Sequence, residues 1–359
     1  MTVPTAPRRN RVPTLWALVG AVLLFFLAIG AAIGAAMVGF IIVIASGDLD
    51  PATLTDPQAA QRAVMTHLPI VGLSLLGQSL VMLVGPFVIA RLNRVNVSEG
   101  LGFRRAHPVT FLAGALGVLA LGPTSDALVR WLQEVAPDWS IGSLEGLDAL
   151  AKADIPLALL LFMMAVTPGF TEEILFRGLV QRSLRRRAVA LHVSALTFAL
   201  IHADPHHVIG VVPVGYFLAW VALRADSTWP TIVAHIANNA VAVIAVRTLE
   251  TDLGEPPPLW ALPIGWAVCA ACVWAIRKTT KEPPAEAVSD SVSVPDSVSV
   301  PDSVSVPVSD SVPVSDSVPD SDSVPDSDSD SVPDSDSDSV SDSVPVPDSD
   351  SDPDPTPRP

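Results

Sequence analysis

Glu172, Glu173 and Arg177 lie in the octet T-E-E-I-L-F-R-G, inside an otherwise apolar run that reads as a membrane span. Ionisable groups are expensive at that depth and mark a functional site or a compensated pair. Glu173 and Arg177 are four residues apart and can pair on one helix face, whereas Glu172 is rotated by about 100° and points elsewhere. Two later apolar stretches bring in more polar residues at the same spacing: Phe198 with His202, and His235 with Asn239. Counting from the basic end of each stretch, Glu172 and Asn239 come to roughly 15 Å, His235 to about 9 Å and His202 to about 21 Å along a helix.

A carboxylate beside an imidazole can take a proton from water as general base. A second imidazole with an amide can donate to the oxyanion of a tetrahedral intermediate. The same donors, Glu172, His202 and His235, also make a His₂Glu set for zinc or another divalent metal, so water and metal stay open here. Neither H-E-x-x-H nor G-x-S-x-G occurs, and the two cysteines, Cys269 and Cys272, lie outside this set, which argues against a covalent nucleophile. Cys269 and Cys272 read as small residues on one face of a helix. His206 and His207, separated from His202 by Pro205, read as interfacial.

The elements that must position these residues are membrane helices. Half of the 359 residues are hydrophobic and the mean hydropathy is +0.47, which fits a multi-span membrane protein and not a soluble domain. The net charge of −16 belongs to the tail. From Glu282 onward 20 acidic residues face one basic residue, net −19, while the preceding chain has 20 basic and 17 acidic residues, net +3. That body gives no electrostatic signal for nucleic acid.

The predicted organisation is a cytoplasmic N-terminus over 1–13, then three transmembrane helices and an interfacial amphipathic segment over 14–154. The third span is expected to be short, about Pro108 to Gly122, with the amphipathic helix following it. Residues 155–250 form a four-helix core carrying the motifs, and 251–281 hold the last span. Residues 282–359, repeats of Ser, Asp, Val and Pro, are expected to be disordered because they offer no hydrophobic face. Pro168–Gly169 is expected to break or kink the motif helix, with Thr171 able to cap a restart. Arginines gather in alternate loops: 8/9/11, 91/94/104/105, 182/185/186/187, 224, and 277 with Lys278 and Lys281. By the positive-inside bias this gives about eight spans in a cell membrane with both termini cytoplasmic.

E-E-x-x-x-R at 172–177, F-x-x-x-H at 198–202 and H-x-x-x-N at 235–239 occur in that order over about Ile155 to Arg247. Together they resemble the CPBP family, the CAAX prenyl endopeptidases and bacteriocin-processing (Abi) proteins. The resemblance implies an all-α polytopic protein of about eight helices around an intramembrane catalytic cavity. It further implies that Glu172 and His202 activate water, that His235 and Asn239 stabilise the oxyanion, and that Glu173 and Arg177 support the site. The implied substrate is a peptide or small membrane protein, prenylated or of leader type, met in the lipid bilayer. The family has been described as metalloproteases and as glutamate-dependent enzymes. The competing functions are a non-proteolytic scaffold or immunity protein on the same fold, and a transporter with a proton relay, for which no internal repeat is visible.

Overall fold

A computed structural model describes residues 10–49, 66–249 and 258–281, with scattered positions between 53 and 64. The expectations for 1–9, 250–257 and the acidic tail 282–359 lie outside the described residues. Among those described there is no strand, and seven helices are long and apolar enough to cross a membrane. These are α1 (Thr14–Ser46), α2 (Leu68–Leu92), the run 108–135, α6 (Leu157–Gln181), α8 (Pro205–Ala225), α9 (Trp229–Leu249) and α10 (Ala261–Thr279). The eighth expected span is the shorter apolar helix α7, Arg187–Leu200. Its 14 residues rise about 21 Å, short of a hydrocarbon core of about 30 Å.

The third span differs from expectation. Pro108–Leu119 (α3) is followed, after a two-residue turn at Ala120 and Leu121 that keeps helical backbone angles, by Gly122–Val135 (α4), and Pro123 sits in the first turn of α4, where its missing N–H is not needed. The amphipathic segment is therefore split between α4 and a separate helix, Ser143–Lys152 (α5).

Helix α6 is the centre of the bundle. Half of its most apolar window is buried, against 17% for α1 and α10, which present Trp16, Phe26, Ile33, Trp266 and Trp274 outward. Such a face is stable only against lipid or another apolar surface.

The basic loops converge on one end. Asp226 binds both Arg104 and Arg182, the latter at 2.9 Å. Thr14 Oγ1 donates to the Ser183 carbonyl at 2.7 Å, and Arg224 Nη2 donates to that of Thr280 at 2.9 Å. Residues 14 and 280 thus lie at the same end of the bundle. The opposite end is tied by Asp204. Its carboxylate accepts the N–H groups of Ile141 at 3.3 Å, Ser143 at 3.0 Å and His206 at 3.0 Å. Burial works against its charge, but these donors outweigh it and hold the carboxyl below its usual range. Arg247 there donates to the carbonyl of Ala153 at 2.6 Å.

Candidate active site

The motif helix is not broken at Pro168. It runs through Leu157–Gln181 with two π-type widenings, Phe162–Val166 and Ile174–Gln181. The Thr167 N–H reaches back to the Phe162 carbonyl, a five-residue step that makes room for the proline ring. Thr171 is accordingly no cap: its hydroxyl donates to the Thr167 carbonyl at 3.0 Å. Pro168 has no N–H to offer the Met164 carbonyl, and Asn239 Nδ2 from α9 donates to that oxygen at 3.3 Å. The neighbouring Gly169 lets α9 come close. A Cβ there would stand 2.9 Å from the Ile236 nitrogen and 3.2 Å from its Cα. The two residues expected to break or kink the helix instead dock it against the strip of α9 that carries His235 and Asn239.

Glu173 and Arg177 pair as the spacing predicts, Nη1 to Oε1 at 2.9 Å, with both side chains fully buried. Arg177 Nη2 also donates to the Gly215 carbonyl at 3.1 Å, and its guanidinium lies 4.3 Å from the centre of the Phe198 ring. The same Glu173 Oε1 takes a second bond, from His235 Nδ1 at 3.0 Å. A carboxylate that positions an imidazole through Nδ1 fixes the ring and leaves Nε2 for other work. His202 is held alike. Its Nδ1 lies 3.0 Å from the Phe198 carbonyl, which can only accept, so the proton is on Nδ1 and Nε2 carries the lone pair. Phe198 stands between the two histidines, its ring 5.4 Å from each and edge-on to both.

Glu172, His202, His235 and Asn239 line one cavity of about 560 Å³, walled mainly by apolar side chains of α2, α4, α5, α6, α8 and α9. Glu172 Oε2 is buried and has no hydrogen-bond partner among the described residues. Glu172 thus lines the cavity while holding a buried oxygen without a partner, an arrangement that costs about 1–3 kcal/mol or more and that a water or ligand entering beside it would relieve.

Three neighbours escaped the motif reading. Asn238 Nδ2 donates to Asn239 Oδ1 at 3.2 Å and fixes that amide; its place in the N-N pair was the available signal. His207, read from the sequence as interfacial, lines the cavity with its ring 4.4 Å from that of His202. Asp126 lines the cavity from α4, in a segment the sequence places at the membrane surface. His206 is buried, with Nε2 donating to the Ala136 carbonyl at 3.0 Å, and it ties α8 to the end of α4.

The same geometry bears on the His₂Glu metal set of Glu172, His202 and His235. Both histidines offer Nε2, as metal ligands do, but among the described residues no three His, Cys, Asp or Glu side chains converge closely enough to hold an ion. The residues as placed do not form a metal centre.

Comparison with known proteins falls on this core. Residues 154–241 match the family model described as type II CAAX prenyl endopeptidase Rce1-like. Over 103 residues the chain is 25% identical to "Putative membrane peptidase YdiL" of Bacillus subtilis (strain 168), covering 28% of this chain and 42% of the relative. Over 98 residues it is 21% identical to "UPF0177 protein YxdF" of Lactococcus lactis subsp. lactis (strain IL1403), covering 27% and 55%. The chain spans about half the length of these curated relatives. No solved structure matches it significantly.

Proposed function

We propose that this chain, a CPBP family member through residues 154–241, is an intramembrane endopeptidase that hydrolyses a peptide bond of a membrane-associated substrate. The observation that carries the reading is the unpaired Glu172 oxygen in the same cavity as two imidazoles whose Nδ1 atoms are both engaged. Glu172 takes the proton of a water held with His202 Nε2, and the hydroxide so formed attacks the scissile carbonyl. The carboxyl thus formed on Glu172 then supplies the proton to the departing amine.

The oxyanion role of His235 carries a requirement. With Nδ1 donating to Glu173, a neutral His235 has only a lone pair at Nε2, so it donates to an oxyanion only as the imidazolium. Asn239 keeps a second amide hydrogen beyond the one given to Met164. The arrangement supports the two acting as a donor pair.

The metal-bound water that the sequence also left open is not supported by the residues as placed. Metal analysis of the purified protein, with cleavage measured in chelator, separates the two: direct water activation predicts full activity without metal. The basic end of the bundle is assigned to the cytoplasm by its arginines. The alternative of a scaffold or immunity protein is tested by Glu172→Ala and His235→Ala at unchanged expression. Loss of substrate processing in both supports the peptidase, and an intact phenotype in both supports the scaffold.

A further inference from the structure

Asp126 is the carboxylate of this cavity that the catalytic reading leaves unused. It stands on α4, in a wall fixed at two points. Trp266 Nε1 donates to Thr124 Oγ1 at 2.9 Å, and α4 meets α8 at Gly210, where a Cβ would lie 2.7 Å from Val129 Cγ2 and 3.8 Å from the Ser125 carbonyl. Gly210 is three residues from His207, about 4.5 Å along the helix, and His207 touches His202. Asp126 thus belongs to the wall next to the reacting groups, about one helical turn beyond them.

Nothing among the described residues neutralises Asp126. It makes no hydrogen bond or ion pair, and the arginine one turn away, Arg130, is bound to Glu134 at 3.0 Å. The cavity has no lysine or arginine in its lining, while Leu75, Met82, Leu119 and Val214 make its walls apolar. Beside Asp126, Ser125 Oγ is buried without a partner and supplies a second acceptor. A carboxylate on an apolar cavity, backed by a buried hydroxyl that has no partner, matches an ammonium or guanidinium group on an aliphatic stem, which gains from both the pairing and the burial of its methylenes.

We propose that Asp126, with Ser125 Oγ, is a specificity site that receives the cationic group of the substrate, so that the preferred peptide carries a lysine or arginine in an otherwise apolar stretch near the bond that is cut. This deepens the peptidase reading and rests on the cavity being where the peptide binds.

The test is a binding measurement that needs no cleavage. Dodecylammonium and dodecanol, identical but for the charged head, are titrated against the full chain in non-ionic detergent micelles, with protein-free micelles as the blank. Wild type should bind the amine more tightly by about tenfold to a hundredfold, the range of a hydrogen bond to a charged group. Asp126→Asn should bring the two probes together, Asp126→Glu should restore the preference, and Glu172→Gln should keep it. Equal affinities in wild type overturn the proposal, as does a preference that survives Asp126→Asn or disappears in Glu172→Gln. Because the inactive Glu172→Gln protein is measured too, loss of the amine preference and loss of peptidase activity are separate failures.

Discussion

Replacing either member of the Glu172–Glu173 pair by glutamine removes one formal charge, yet the two changes should act very differently on stability. Glu173 Oε1 accepts from both Arg177 and His235, and its side chain is fully buried. Glu173→Gln leaves the guanidinium buried without its paired charge, even though the amide oxygen can still take the place of Oε1. Breaking a buried pair in this way costs about 3–5 kcal/mol. At about 2–4 °C per kcal/mol for a domain of this size, the midpoint of thermal unfolding should fall by about 6–20 °C. Glu172 loses nothing comparable, because its buried oxygen has no partner. Glu172→Gln removes the cost of desolvating a charge, so its midpoint should stay within about 2 °C of wild type or rise, as when an active-site group is held for function against stability. The assay is unfolding of both variants and wild type in one detergent, followed by intrinsic tryptophan fluorescence. A drop for Glu172→Gln as large as that for Glu173→Gln would refute the division of the two acids into a reacting and a supporting group.

Other expectations follow from the same contacts. Arg177→Lys keeps the charge but loses the fork that reaches Glu173 and Gly215 together, so it should cost about 1–3 kcal/mol by the same unfolding assay. Gly169→Ala should force α9 outward through Ile236, cost about 1–3 kcal/mol and lower peptide cleavage, because the His235–Glu173 bond lengthens with it; unchanged cleavage would contradict the docking role. Asp204 has its folded-state pKa lowered, so the stability it provides is complete above the ordinary carboxylate range and is lost as pH falls through the depressed folded value. Unfolding followed against pH should therefore show wild type losing stability on acidification, with a flatter profile in Asp204→Asn.

Much of the site is legible in the sequence because intramembrane polar residues have so few reasons to be there. Glu172, His202, His235 and Asn239 do line one cavity, and Glu173 does meet Arg177, since four-residue spacing dictates the contact in any helix. The basic loops gather at one end for the same kind of reason: charge bias is a local property of each loop. What stayed hidden depends on contacts between helices. Pro168–Gly169 reads as a break or kink until a neighbouring helix is known to satisfy Met164 and Ile236 is seen against Gly169. His207 and Asp126 lie in segments whose polarity suggested an interface, and only the fold of α4 and α8 over α6 turns them inward. The second bond of Glu173, to His235, crosses 62 residues and has no local signature.

Hydrolysis of a peptide by water activated at Glu172 leaves a chemical mark on the product. Membranes from cells making wild type or Glu172→Gln protein at matched levels should be incubated in ¹⁸O-labelled water, and their peptides compared by mass spectrometry. New peptide C-termini carrying ¹⁸O should appear in the wild-type sample alone. The same labelled termini in both samples, or none in either, would contradict activation of water at Glu172.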